Sequence, residues 1–279
     1  MPSDHPPTIV VGMHRSGTSW LADLLHDRGI FMGSERDVHG EAEFFKQANQ
    51  HVFRIAHATW DHPEPVERLV GSAELRPRIV ELLRGRLASR EAEREYWGTT
   101  GLLQRKPARS PDAPWGWKDP RSSFTLPFWL DLFPAARVVH IHRNGVDVAA
   151  SLQARERARR DPLRNPLFSA RCLELEGGFS LWVSFVETCR AHLADLPPER
   201  ACELAYEEVL RDPRPHLARL FRFLGLGASE ERVEAAAAGL EPDRAYAFLR
   251  HDDRRRFYET CRGHPLMTRL GYGAIEPDE

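Results

Sequence analysis

This sequence predicts an α/β fold in which a central parallel sheet is flanked by helices in three layers, and three observations carry that expectation. A short β-branched run, Thr8-Ile-Val-Val-Gly12, ends in a glycine-bounded turn and opens onto a helix by residue 18. A second run, Arg137-Val-Val-His-Ile-His142, turns through Arg143-Asn-Gly145 into another helical segment. Around them strands alternate with longer helical stretches, the order that gives parallel strands covered on both faces by right-handed crossovers.

Thr18 opens the first helix, where Leu21, Leu24, Leu25 and Arg28 recur at helical spacing and Gly29 is placed to cap the end. Residues 41–97 read as mostly helical, interrupted around Asp61-His-Pro-Glu-Pro65. The stretch from Gly98 to Pro114 holds Pro107, Pro111 and Pro114 and reads as a loop. Trp115-Gly-Trp-Lys118 is a strand candidate, with Asp119-Pro-Arg121 and a short helix over 126–133 behind it. After Gly145 a helix runs through Val148, Ala149 and Leu152, and a long helical region over 167–196 stops at Pro197-Pro198. Residues 202–206 read as a strand, and Leu217, Leu220, Phe221 and Leu224 mark an amphipathic helix. Without repeat or low-complexity tail, residues 1–279 are expected to form a single domain.

The net charge of −2 gives no broad electrostatic footprint for nucleic acid or an anionic membrane, so any anion site has to be local. The apolar runs are far too short to span a bilayer, and the Met-Pro-Ser-Asp-His start has neither basic head nor apolar stretch; the expected location is cytoplasmic. Cys172, Cys189, Cys202 and Cys261 stand far apart and are expected to be buried free thiols. The histidines show no metal-ligand spacing, and no metal is expected. Only three lysines occur, Lys46, Lys106 and Lys118, which singles each of them out in an arginine-rich chain.

Gly12-Met-His-Arg-Ser-Gly17-Thr18-Ser19 has the G-x-x-x-x-G-K-[ST] spacing of a P-loop, with Thr18 where the lysine stands. Backbone N–H groups of such a loop converge on an anion at the positive end of the following helix. Arg15 supplies a cation inside the loop, and a guanidinium can fork onto two oxygens of a terminal group. Without the lysine, the loop is poorly equipped for Mg-ATP, although a P-loop kinase or nucleotide hydrolase remains an alternative reading.

The string Arg15-Ser-Gly-Thr-Ser-Trp20 resembles the 5′-phosphosulfate-binding loop of sulfotransferases that use 3′-phosphoadenosine 5′-phosphosulfate. The resemblance implies that Arg15, Ser16, Gly17, Thr18 and Ser19 hold the 5′ end of the donor and that Trp20 stacks on adenine. It further implies that Arg143, at the end of its strand, and Ser151, eight residues on, bind the 3′-phosphate. Trp117-Lys118-Asp-Pro-Arg121 is similar to a segment of the tyrosylprotein and bacterial branch, where the lysine sits beside the transferring group. Tyr206-Glu-Glu-Val-Leu-Arg-Asp-Pro213, leading to Leu220-Phe-Arg-Phe-Leu-Gly-Leu226, resembles an element whose tyrosine borders the adenine. The same branch implies a glutamate base soon after the first helix. Both Glu35, in Gly33-Ser-Glu35, and Glu43, in Gly40-Glu-Ala-Glu43-Phe-Phe45, fit; Glu43 is preferred because Phe44 and Phe45 could give it apolar surroundings. His39 and His142 are weaker candidates. These resemblances cover residues 9–21, 115–151 and 202–226.

The expected activity is in-line transfer of a sulfuryl group from 3′-phosphoadenosine 5′-phosphosulfate to a hydroxyl or amine, releasing adenosine 3′,5′-bisphosphate without a metal. Arg15, Lys118 and Glu43 are the expected catalytic groups, and a helical and loop insertion over about 50–114 is expected to cover the acceptor site. A small molecule, a sugar or a peptide fits as acceptor, and the oligomeric state stays open. A non-catalytic nucleotide-binding module of the same fold is a further alternative.

Overall fold

Four strands, β1 (Thr8–Val11), β2 (Gly116–Lys118), β3 (Arg137–His142) and β4 (Ala201–Ala205), pair in the order β2-β1-β3-β4 and are all parallel. The computed structural model describes residues 5–98, 113–159, 164–165 and 167–275. Every residue of β1 is buried, as is all of β3 beyond Arg137, which is why these strands read as continuous apolar runs: a parallel strand inside a sheet is covered on both faces. Val10 pairs with Lys118 on one side and Val139 on the other, so β1 ties the two halves of the sheet together.

Side-chain alternation along the strands divides the interior into two apolar cores. Ile9, Val11 and Val138 face a core built around Phe44, Phe45, Trp117, Phe124, Leu181 and Phe185, whereas Val10, Val139 and Ile141 face Leu21, Leu25, Leu204, Leu217 and Phe221. The helices follow in chain order: α1 (Thr18–Asp27), α2 (Glu43–Ile55), α3 (Val66–Val70), α4 (Leu75–Leu87), α5 (Arg90–Ala92), α6 (Ser122–Leu132), α7 (Gly145–Arg157), α8 (Leu175–Leu193), α9 (Tyr206–Arg211), α10 (Pro213–Leu224), α11 (Glu230–Ala237), α12 (Asp252–Cys261) and α13 (Pro265–Arg269). Helices on either side of the sheet complete the three layers. All four cysteines are free and buried. No described helix is long and apolar enough to cross a membrane.

Some boundaries differ from the sequence expectation, for identifiable reasons. α6 begins at Ser122, upstream of the expected 126, and carries Pro127 inside it. Proline has no N–H to give to the carbonyl four residues back, and that carbonyl, on Ser123, instead accepts from His192 Nδ1 of α8 at 3.0 Å. The region expected as one long helix is a short 3-10 turn at Arg171–Leu173 followed by α8. The helical stretch before residue 98 is a chain of separate pieces, and the proline-bearing part of the expected loop, 99–112, lies outside the described residues.

The order β2-β1-β3-β4 places neighbours of β1 on both of its sides, so the connections leaving it diverge. In open parallel sheets such a reversal opens a crevice at the carboxyl ends of the strands. The loop after β1, Lys118 at the end of β2, Arg143 after β3 and Tyr206 after β4 all lie at that edge.

Candidate active site

The turn between β1 and α1 is shaped by close approach. Gly12 has φ +145°, and a Cβ there would lie 2.2 Å from the Ile141 carbonyl oxygen. Gly17, at φ +91°, is the N-cap residue of α1, and a Cβ on it would lie 2.6 Å from the Tyr206 ring. Only glycine meets both demands. Arg15 is itself left-handed at φ 70°, while the Ser16 hydroxyl is buried without a partner. No side chain caps α1 and no acidic residue occupies its first turn, so its leading N–H groups and positive end face the crevice.

These residues line a cleft of about 170 Å³. Arg15, Gly17, Thr18, Ser19 and Trp20 form one wall, and Lys118, Arg143 and Tyr206 come from the neighbouring strand ends. Ser151 joins them by accepting from Arg15 Nε at 2.8 Å. With His39, ten residues named from the sequence are therefore brought together, and Ser16 is buried next to them in the chain.

Arg143 is anchored on one edge only. Its Nη2 donates to Asp147 Oδ2 at 3.2 Å and to the Arg244 carbonyl at 2.7 Å, its guanidinium lies 5.2 Å from the Tyr206 ring centroid, and its Nε is buried without a partner. Asp147 in turn accepts from the amides of Ala247 and Phe248, which ties the C-terminal segment to the cleft.

Lys118 is 1% exposed and its ammonium donates to Glu41 Oε1 at 3.2 Å. Arg121 donates to Glu41 Oε2 at 3.2 Å and to Asp119 Oδ1 at 2.8 Å. Burial pushes the Glu41 carboxyl up, but Lys118 and Arg121 outweigh it and hold the group below the usual carboxylate range. Asp119, more deeply enclosed, is pushed up to about 6 by burial despite Arg121.

The glutamates named from the sequence are placed elsewhere. Glu43 is absent from the cleft lining; its carboxylate pairs with Lys46 and accepts from Gln47 Nε2 at 3.1 Å. It stands at the first residue of α2, and the helical rotation that sends Phe44 and Phe45 into the core turns Glu43 outward. Glu35 is exposed, and its carbonyl accepts from the Glu43 amide at 2.9 Å. Glu41 is the carboxylate that reaches the cleft. It follows a turn in which Asp37 Oδ1 accepts from the His39 and Glu41 amides, at 2.9 and 3.0 Å. His39 lines the cleft and its carbonyl accepts from Ser19 Oγ at 2.6 Å. His142 does not line it: Nδ1 is bonded to the Tyr272 hydroxyl at 2.9 Å, and burial and His140 lower the ring to about 3.

Four lining residues escaped the sequence reading altogether: His14, Glu41, Arg155 and Arg244. Arg155 was within reach, because it stands four residues after Ser151 on a helix and therefore shares its face. Arg244 belongs to a 3-10 turn with no motif to announce it.

The arrangement is a strip of cations, Arg15, Lys118, Arg143, Arg155 and Arg244, opposite an uncapped helix start, with Glu41 the one carboxylate among the described lining residues. Among the described residues no cluster suits a metal ion. Such a cleft can hold an elongated polyanion at both ends without a divalent cation.

Comparison with known proteins agrees with this chemistry. An omega-hydroxy-beta-dihydromenaquinone-9 sulfotransferase of Mycobacterium bovis is 31% identical over 115 residues, covering 40% of this chain and 29% of the relative. Its counterpart from Mycobacterium tuberculosis matches to the same extent, so the aligned part spans under a third of either relative's length. A crystallised sulfotransferase from Mycobacterium tuberculosis H37Rv shares the fold at a TM-score of 0.53 and 18% identity, over 84% of this chain and 71% of that one. A family profile described as the sulfotransferase family matches residues 6–230. With that match spanning most of its length, the chain belongs to the sulfotransferase family.

Proposed function

We propose that this protein transfers a sulfuryl group from 3′-phosphoadenosine 5′-phosphosulfate to a hydroxyl or amine of a small-molecule acceptor. The observation that carries the reading is the pairing of two anion sites across one cleft: the uncapped α1 start with Arg15, and Arg143 with its unpartnered Nε. A donor with phosphate at the 3′ position and phosphosulfate at the 5′ position offers an anionic group to each site, whereas ATP carries its charge at one end only. Thr18 in the lysine position of the loop also weighs against a Mg-ATP enzyme.

In this reading Arg15, Ser16, Thr18, Ser19 and the Gly17 amide hold the 5′ end, Arg143 and Ser151 the 3′-phosphate, and Trp20 and Tyr206 the adenine. The acceptor oxygen attacks sulfur in line. The bond from sulfur to the 5′-phosphate oxygen breaks with its electron pair on that oxygen, and Lys118 stabilises the growing negative charge. Glu41, in place of Glu43, takes the acceptor proton. Before donor binds, Glu41 is held by Lys118 and Arg121. A lysine drawn onto the bridging oxygen leaves Glu41 with one cation fewer and a greater affinity for the proton.

Thermal unfolding with adenosine 3′,5′-bisphosphate, ADP and Mg-ATP at matched concentrations tests the reading. A ligand at about a hundred times its dissociation constant stabilises by roughly 2.7 kcal/mol. Stabilisation by the 3′,5′-bisphosphate above the other two supports it, and preference for Mg-ATP overturns it.

A further inference from the structure

We propose that Arg155 and His14 form an acceptor-side oxyanion subsite, so that the preferred acceptor carries a carboxylate or phosphate beside the hydroxyl that is sulfated. The inference rests on the transferase reading above and adds the chemical class of the acceptor.

Arg155 presents a buried donor with nothing to bind. Its Nε donates to Glu156 Oε1 at 2.7 Å, its guanidinium lies 4.5 Å from the Trp60 ring centroid, and its Nη2 is buried without a partner. The aromatic face and the carboxylate fix the guanidinium, and the unmet N–H group is left in the cleft wall. A buried charged donor without an acceptor is costly, and a ligand oxygen relieves that cost.

The charge of Arg155 is not cancelled locally. Glu156, 2% exposed, also accepts from Arg159 Nε at 2.7 Å and from the Ser169 amide at 3.2 Å, so one carboxylate serves two guanidinium groups.

His14 brings a second unmet polar atom to the same place. Its ring meets Trp60 edge-on at 5.4 Å and Phe185 at 5.9 Å, and its Nε2 is buried without a partner. Burial, with Arg121, Arg155 and Lys118 adding to it, keeps the imidazole well below its ordinary pKa. A neutral ring protonated on Nε2 gives a hydrogen bond to the same oxyanion that Arg155 holds.

Arg155 follows Ser151 by one turn of α7, about 6 Å of rise, on the same face. His14 lines the cleft with Lys118 and His39 and is acted on by both, which sets this corner beside the transferring group. With the donor's two anionic ends assigned to the loop and to Arg143, the unmet N–H groups of Arg155 and His14 are assigned to the acceptor.

The test uses protein saturated with radiolabelled donor and two matched pairs of probes: 4-hydroxyphenylacetate against its amide, and 3-hydroxybutyrate against its amide. Wild-type protein is expected to favour the carboxylate of at least one pair by about tenfold in kcat/KM, the worth of about 1.4 kcal/mol. Arg155→Gln should abolish that preference and Arg155→Lys retain part of it, with the affinity for adenosine 3′,5′-bisphosphate changed in neither. Equal use of amide and carboxylate, or no labelled product from either carboxylate, overturns the proposal. So does an Arg155→Gln variant that loses the bisphosphate as strongly as the acceptor, since that assigns Arg155 to the donor. Failure of the wild type to bind the bisphosphate would instead refute the transferase reading.

Discussion

Arg143→Ala separates the 3′-phosphate from the rest of the donor. The guanidinium already spends Nη2 on Asp147 and the Arg244 carbonyl, which leaves the unpartnered Nε and Nη1 for a ligand. One or two charge-assisted bonds at roughly 1.5–3 kcal/mol each, discounted for the water they displace, give a loss of about 2–4 kcal/mol. That corresponds to about 30- to 1,000-fold weaker binding of adenosine 3′,5′-bisphosphate. ADP has no 3′-phosphate and should change by less than about threefold, under 1 kcal/mol. The fold should tolerate the change. Asp147 keeps its bonds from the Ala247 and Phe248 amides at 3.1 and 2.8 Å, and Trp182 Nε1 donates to the residue 143 carbonyl, which alanine retains. Titration calorimetry of both nucleotides with both proteins measures the difference. Equal losses for the two nucleotides, or no loss for the bisphosphate, would refute the assignment.

Glu41→Gln should reduce turnover of an acceptor recovered from a hydroxyl panel by about 100-fold or more while bisphosphate binding survives, whereas Glu43→Gln should stay near wild type; the opposite ranking would restore Glu43 as the base. Gly17→Ala forces a Cβ to 2.6 Å from Tyr206 at φ +91°, so it should cost at least about 1–2 kcal/mol of stability and weaken donor binding; an unchanged melting temperature and affinity would count against the tight-turn account. The pH dependence of stability should carry the mark of Glu207, which burial pushes up to about 7 against hydrogen bonds from the Asn144 amide and the Tyr272 hydroxyl. Because the folded protein keeps a proton there that the unfolded chain releases near the ordinary carboxylate value, this contribution is present at low pH and lost as pH rises to about 7. Glu207→Gln should therefore remove a decline on the order of 3 kcal/mol at most across that window, read as the difference between wild-type and variant urea unfolding at pH 5 and pH 8; parallel curves would contradict it.

The strands and the anion loop were legible because their signals are local. β-Branched runs, a glycine at each end of a four-residue turn, and an arginine at a strand end are set by neighbouring residues and by backbone sterics, and the chain alternation then dictates a parallel sheet. The helix–loop boundary before α2 was not legible. Ala42, the N-cap residue, offers no capping side chain to mark where the helix begins. Nothing in Gly40-Glu-Ala-Glu43 therefore says which glutamate turns inward, and the Phe44-Phe45 pair that suggested apolar surroundings for Glu43 packs on the opposite face.

By itself the sequence determined the fold class and singled out the glycine-bounded loop and Arg143, the groups proposed to meet the two ends of the donor. Tertiary structure alone decided which groups meet across it. Glu41 reaches Lys118 and Arg121 across 77 and 80 residues of chain, and Arg155 comes to rest on Trp60. No local pattern encodes those partners, because each contact joins segments far apart in the chain whose relative placement is fixed only when both apolar cores close on the sheet.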